Sequence, residues 1–163
     1  MSAKASDSVP NADASRDEIV AWNAAVLEEY RAGAGRVGGA MDGMDLLLLT
    51  TTGARSGLPR TILITYFRDG DRYLLVASNY GRPRHPDWYH NLLSTPEVAV
   101  EVGGERITAR ATVLDAAERD RAFAGVVARY PFYADYQAGV ARTIPVVALT
   151  PIATTPITSA EQA

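Results

Sequence analysis

Three groups of residues have the types and spacing to do chemistry. The first is the loop in LLLLTTTGARSGLPR, residues 46–60, where Arg55 and Arg60 flank Ser56 and Gly57 directly after an apolar run. A buried strand that ends in such a loop can hold an anion. Glycine frees backbone N–H groups to point at it, and arginine supplies forked, charge-assisted hydrogen bonds. The second is ASNYGRPRHPDWYHN, residues 77–91, which sets Ser78 and Asn79 after another strand and Asp87, Trp88 and Asn91 in a following short helix. The third is YPFYADYQ, residues 130–137, with Tyr130, Tyr133 and Tyr136 at three-residue spacing. An aromatic body with a polar tip can cover a flat ring and still offer a proton. Read from residue types alone, the first two groups build a pocket for a long, flat, anionic cofactor. The bland alternatives are a glycine turn with solvated arginines and tyrosines that pack helix against sheet.

Other chemistries are poorly supported. GARSGLPR lacks the Gly-Lys-Ser/Thr ending of a Walker loop and is not GxGxxG. Ser78, Asp87, His85 and His90 do not make a hydrolase triad, because no G-x-S-x-G elbow surrounds Ser78. The chain has no cysteine and two histidines, which excludes thiolate sites and argues against a multi-histidine metal centre. No apolar run approaches the ~20 residues of a membrane helix, and the small, polar start does not resemble a signal peptide. The expectation is a cytoplasmic protein without stable membrane insertion. Net charge is −3 over 163 residues, yet residues 46–91 carry six arginines against three aspartates. A local positive patch on an acidic chain suits a small anionic ligand, not nucleic acid.

The elements that must position these groups follow from the hydrophobic pattern. Residues 1–14 read as a disordered tail with little to bury. Ser15-Arg-Asp-Glu18 is a capping box that opens a helix to about Gly33, with Ile19, Asn23, Val26, Leu27 and Tyr30 on one face and Trp22 beside them. That stripe is expected to pack on the sheet. The glycine-rich stretch 33–43 either folds over the ligand or merely connects elements. Strands are expected at 46–51, 61–68 and 72–78, the last two joined by the Asp69-Gly70 turn. A short helix at 86–93 has Pro86 in its first turn. A second hairpin covers 97–102 and 105–114. A helix follows at 115–129, then a short one carrying Tyr133 and Tyr136, then a last strand at 144–149. Hairpin connections without βαβ alternation predict an α+β, mainly antiparallel chain closed into a small barrel. Residues 15–151 form the one domain, and 152–163 read as a loose tail.

From about Gly38 to Pro151 the motifs TTTGARSGLPR, ASN-G-PRHPDWYHNL, YPFYADYQ and RTIPVVAL resemble the deazaflavin (coenzyme F420)-dependent nitroreductase family. That resemblance implies a split β-barrel of the FMN-binding, flavin-reductase type. It implies a hydride transfer from reduced deazaflavin to a small-molecule acceptor: an activated alkene (enone), a quinone or a nitroaromatic. By matching positions, Arg55, Ser56, Gly57 and Arg60 hold the phosphate and acidic tail of the coenzyme. The family often has two adjacent basic residues there. Ala54 precedes Arg55 in this chain, which bears on tail affinity or preferred tail length. Thr61, Ile62 and Leu63 match the strand beside the ring. Val76, Ala77, Ser78 and Asn79 match the strand end whose backbone meets the pyrimidine edge. Asp87, Trp88 and Asn91 match the helix that closes the pocket, and Tyr130, Tyr133 and Tyr136 the substrate side. The catalytic expectation falls on Ser78 and Tyr133, as stabilisers of the acceptor oxygen, with Tyr133 or water as the proton source. Alternatives are an FMN-dependent oxidoreductase on the same barrel and a deazaflavin-binding protein without turnover. The oligomeric state is not legible.

Overall fold

The two edge strands of the sheet are neighbours in sequence, and this sets the fold. The computed structural model describes residues 4–157. Helix α1 (Arg16–Ala32) is followed by β1 (Leu46–Thr52), β2 (Pro59–Thr65), β3 (Phe67–Asp69), β4 (Arg72–Val76) and helix α2 (Asp87–Ser94). Then come β5 (Glu97–Val102), β6 (Glu105–Val113), helices α3 (Ala116–Arg129) and α4 (Phe132–Ala138), and β7 (Val146–Pro156). The seven strands run β2-β1-β5-β6-β7-β4-β3, each pair antiparallel. Only Tyr66 separates β2 from β3, although they lie at opposite ends of that order. The sheet therefore curls until its two edges meet at Tyr66, whose N–H donates to Asp45 O at 3.0 Å. The curled antiparallel sheet with flanking helices is the split barrel that the sequence predicts. The expected strand at 61–68 is two strands because the chain turns this corner at Tyr66.

Three apolar clusters follow from the alternation of side chains along each strand. Inside the curl, Leu47, Leu49, Leu75, Val100, Val147 and Leu149 pack with Trp88 and Leu92 of α2. On the outer face of β4 and β7, α3 and α4 bury Phe123, Val126 and Tyr133 against Leu74, Val76, Val146 and Ala148. On the outer face of β1 and β2, α1 places Val26 and Tyr30 over Leu46, Leu48 and Leu63. The α1 stripe packs on the sheet as its spacing implies. Full burial of a residue such as Val26 contributes about 1.5–3 kcal/mol. Ser15 caps α1 reciprocally with Glu18.

Both tails differ from expectation. Residues 152–156 are not loose: they extend β7 alongside β6 as far as Pro156 opposite Glu105. Pro151 looks like a terminator, but a register shift between Thr108 and Ala109 makes Ile152 an extra residue there. A bulge of this kind tolerates proline and lets the ladder resume. At the other end, Ala5–Asp7 forms a 3-10 turn with Ser6 fully buried and hydrogen-bonded to the Glu29 carboxylate. Trp22 Nε1–H is shared between Ala5 O at 2.9 Å and Ser8 O at 2.8 Å. Polar anchors dock this segment together with Ala5, which packs on the α1 cluster, so composition concealed it. The loop 33–43 receives it: a Cβ at Gly39 would lie 2.3 Å from Ser6 O. The remainder of the expected tails, residues 1–3 and 158–163, lies outside the described residues.

Candidate functional site

The loop after β1 is tightly wound. Gly53 N–H donates to Leu58 O at 2.8 Å and Gly57 N–H to Gly53 O at 2.9 Å. Gly57 takes a left-handed φ of 69°, which favours glycine. Ser56 Oγ accepts from Leu58 N–H at 3.1 Å. Asn91, buried in α2, holds the loop from below. Its Oδ1 accepts from Ala54 N–H at 2.9 Å and its Nδ2 donates to Thr51 Oγ1 at 3.1 Å. Arg55, on this loop, and Arg60, the second residue of β2, are exposed and have no ion-pair partner among the described residues.

Next to the loop is a seam where the barrel does not close. The β3–β4 ladder ends at Phe67 opposite Leu74. Carried on, the same register would set Thr65 against Val76 and Leu63 against Ser78, but no such pairs form among the described residues. One edge of β2 pairs with β1 and the other stays open. The backbone of residues 61–65 and of 76–78 therefore bounds a slot without ladder bonds between its walls. On β2, Thr61 Oγ1 and Thr50 Oγ1 lie 2.7 Å apart.

The β4 wall of the slot ends in an unusual turn. Ser78 is right-handed, with φ −73° and ψ −28°, whereas Asn79, Tyr80 and Gly81 all have positive φ, at 49°, 58° and 78°. Left-handed non-glycine residues carry strain that the surroundings must hold in place. A right-handed residue followed by a left-handed one turns successive N–H groups to the same side, a concavity that suits negative charge. The N–H groups of Ser78, Asn79 and Tyr80 have no acceptor among the described residues. Asn79 Nδ2 donates to Arg84 O at 2.9 Å.

Arg142 lies behind this turn. Its guanidinium donates to Ala77 O at 3.1 Å, Ser78 O at 3.0 Å and Arg82 O at 3.1 and 3.3 Å. It also meets His85 Nδ1 at 3.1 Å. Burial lowers the Arg142 pKa, and burial together with Arg142 and His90 lowers that of His85. His85 is thus neutral and accepts through Nδ1. The strand entry is itself locked: Gln137 Nε2 donates to Arg142 O at 2.8 Å, while its Oε1 accepts from Arg119 at 2.7 Å and Ile144 N–H at 2.9 Å.

An aromatic wall flanks the turn. Tyr80 packs edge-on against Trp22 of α1, with ring centres 6.0 Å apart. Tyr136 lies against Gly81, where a Cβ would come within 2.9 Å of its ring. Tyr133 is buried and packs with Phe132 and Phe67, and Thr65 on β2 is among the groups that perturb its phenol. Burial is the main cause that raises the phenol pKa of Tyr80, Tyr133 and Tyr136.

The sequence-predicted residues divide accordingly. The structure sets Arg55, Ser56 and Gly57 on one loop, with Ala54 tied to α2 and Arg60 just beyond the loop at the start of β2. Leu63 and Val76 point outward and Ala77 inward, into different clusters, and Ile62 packs inside. These strand residues offer the slot their backbone, not a shared side-chain face. Ser78 and Asn79 lie at its end, and Tyr133 and Tyr136 beside it. Tyr130 is half-buried, with its ring 5.9 Å from Phe67. The α2 residues have protein partners of their own. Trp88 is a core residue inside the curl, Asp87 forms a surface ion pair with Arg16 at 3.1 Å, and Asn91 spends both ends of its amide on protein partners. The α2 register explains this, since its apolar side must fill the barrel. Pro86 caps α2 from outside its first turn. Sequence reading missed Arg142, Gln137, Tyr80 and Thr65. The only signal for Arg142 was a lone cation at the head of an apolar strand.

Known proteins sharing this architecture agree in kind. A family profile described as F420H(2)-dependent quinone reductase matches residues 22–151. An F420H(2)-dependent quinone reductase of Mycobacterium tuberculosis H37Rv is 43% identical over 125 residues, covering 74% of this chain and 84% of that protein. A solved F420-H2 dependent reductase, FDR-A, superposes with a TM-score of 0.59 at 37% identity, over 64% of this chain and 93% of that one. A structure described as a domain-swapped dimer superposes with a TM-score of 0.60 at 32% identity, over 83% of this chain and 99% of that one. The chain belongs to the F420H(2)-dependent quinone reductase family.

Proposed function

We propose that the seam between β2 and the 76–81 turn is where this enzyme holds coenzyme F420 and passes a hydride to a quinone, with enones and nitroaromatics as further acceptors. Family membership makes it an F420-dependent reductase; the site assignment is our reading. One observation carries it. Unpaired strand backbone on two walls carries, among the described residues, two arginines without an ion-pair partner on one wall and three backbone N–H groups without an acceptor on the other. That is the chemistry a flat ring with an anionic tail requires. Arg55 and Arg60, with the Gly57 turn, hold the phosphate and acidic tail. The backbone of residues 61–63 and 76–79 lies along the ring.

Reduced F420, when bound, supplies the hydride, and the protein supplies orientation, exclusion of water and electrostatics. Ser78 offers a hydroxyl where the acceptor oxygen gains negative charge, which such a donor stabilises, and Tyr133 forms part of the pocket wall. Tyr136 and Tyr80 cover the acceptor side.

The test is a fluorescence titration with oxidised F420 and with FMN, on the wild type, Arg55→Ala and Arg60→Ala. Losing one charge-assisted contact costs about 1.5–3 kcal/mol. Each variant is expected to bind F420 roughly tenfold or more weakly, and FMN to bind far more weakly than F420. Unchanged F420 affinity in both variants would remove the tail from this loop. Equal affinity for FMN would favour the flavin alternative.

A further inference from the structure

We propose that Arg142 is a positioning residue that biases the bound cofactor toward its reduced form, acting through the two peptide groups that join Ala77, Ser78 and Asn79. The proposal rests on the seam reading above and adds a residue and a redox role to it.

Arg142 is half-buried and has no carboxylate within ion-pair distance among the described residues. Its acceptors are instead the carbonyls of Ala77, Ser78 and Arg82, with neutral His85 as a fifth contact. A trans peptide points its N–H opposite to its C=O. The carbonyl of Ala77 shares a peptide with Ser78 N–H, and the carbonyl of Ser78 with Asn79 N–H. Arg142 therefore grips two peptides from behind and leaves their N–H groups facing away from it. Its side is also known. Ala77 N–H donates to Pro145 O at 2.9 Å, which puts the β7 side of β4, and Arg142 with it, opposite the open edge. The two N–H groups thus face the slot, each backed by a guanidinium. No acid nearby cancels that charge.

Two consequences follow. The first is mechanical: four hydrogen bonds from one cation hold the left-handed run Asn79–Gly81 against its strain. The second is electrostatic. A guanidinium on a carbonyl strengthens the opposite N–H as a donor, because hydrogen-bonded peptides polarise one another. Taking up a hydride, two electrons with one proton, would leave the bound group one negative charge richer, and negative charge at the slot is then favoured over the charge present before. A purely mechanical arginine would serve both redox states alike. The two roles therefore predict different things.

The experiment compares Arg142→Gln, which keeps a planar N–H donor without charge, and Arg142→Lys, which keeps charge without the fork. Dissociation constants for oxidised and reduced F420 are measured by fluorescence titration and anaerobic calorimetry, with unfolding temperature followed in parallel. Arg142→Gln is expected to lower the preference for the reduced form at least tenfold, a shift of about 30 mV in the potential of the bound two-electron couple. Arg142→Lys is expected to retain more of the preference than Arg142→Gln. If Arg142→Gln does not fold, Arg142→Lys carries the test, with a fall of at least threefold expected. An unchanged ratio, with both affinities falling together, would overturn the proposal and make Arg142 a structural clamp. Arg60→Ala is the control: it weakens both forms equally if the tail reading holds. Failure of that control and failure of the Arg142 ratio are thus distinguishable.

Discussion

Tyr133 belongs both to the core and to the site. Its ring fills the space between α4 and the outer face of β4, and Thr65, on the open edge of β2, is among the groups that perturb its phenol. Burial and the neighbouring Tyr136 raise its pKa well above the ordinary 10.0, so it is a poor acid at neutral pH but a permanent hydrogen-bond donor. Tyr133→Phe is therefore expected to keep quinone reduction within about tenfold of the wild type and to cost roughly 0.5–1.5 kcal/mol of stability. Steady-state kinetics and denaturant unfolding check both. A rate loss of about 10²-fold or more would instead identify the residue as the proton donor. At this scale, legibility followed chemistry. Arg55 and Arg60 were visible because two cations around Ser-Gly after an apolar run have few other uses. Arg142 was invisible because its partners are carbonyls 60 to 65 residues away, and a backbone acceptor carries no residue-type signature. Tyr80 was invisible for a related reason: nothing in Asn-Tyr-Gly announces two non-glycine residues with positive φ.

Elements were easier to read than their faces. Apolar runs and periodicities located the helices of the barrel and most of its strands, though the expected strand 61–68 is two and β7 runs past its expected end. They did not say which side of α2 meets the site. Trp88 and Asn91 share the inward side of α2, where the first fills the barrel and the second ties the helix to the arginine loop. Asn91→Ala leaves a buried Thr51 hydroxyl and the Ala54 N–H without partners. It is expected to cost about 1–3 kcal/mol, or roughly 2–12 °C in unfolding temperature for a chain of this size. F420 affinity should fall as well, because the loop that carries Arg55 loses its anchor. Calorimetry and titration on the same preparation test this. A stability loss with wild-type affinity would show that the loop holds its shape without α2. The β7 extension teaches a similar lesson: Pro151 read as an end, but a bulge let the unpaired half of β6 recruit residues 152–156.

For the whole molecule, the tyrosines that line the seam and the α1 face set an alkaline limit to stability. Burial is the leading cause that raises the pKa of Tyr30, Tyr66, Tyr80, Tyr133 and Tyr136 above 10.0. Above about pH 10 the unfolded chain loses phenolic protons first, while the folded protein keeps them. Stability supplied by these groups is complete below that pH and is lost as pH rises toward their folded values. Each tyrosine contributes a slope of about 1.4 kcal/mol per pH unit while the two states differ in protonation. On the acid side the sign reverses. His85 is held neutral below its ordinary 6.5, so its contribution is present above that pH and is lost as pH falls through the lowered folded value. The expected profile is a plateau between about pH 6.5 and pH 10 with a steep alkaline limb. Guanidinium unfolding at half-unit pH steps gives the profile. Tyr80→Phe and Tyr133→Phe should each make the alkaline limb shallower, and His85→Gln should flatten the acid one. An alkaline limb of unchanged steepness in both tyrosine variants would mean that these phenols are solvated in the folded protein, and the seam's aromatic wall would then be open to water.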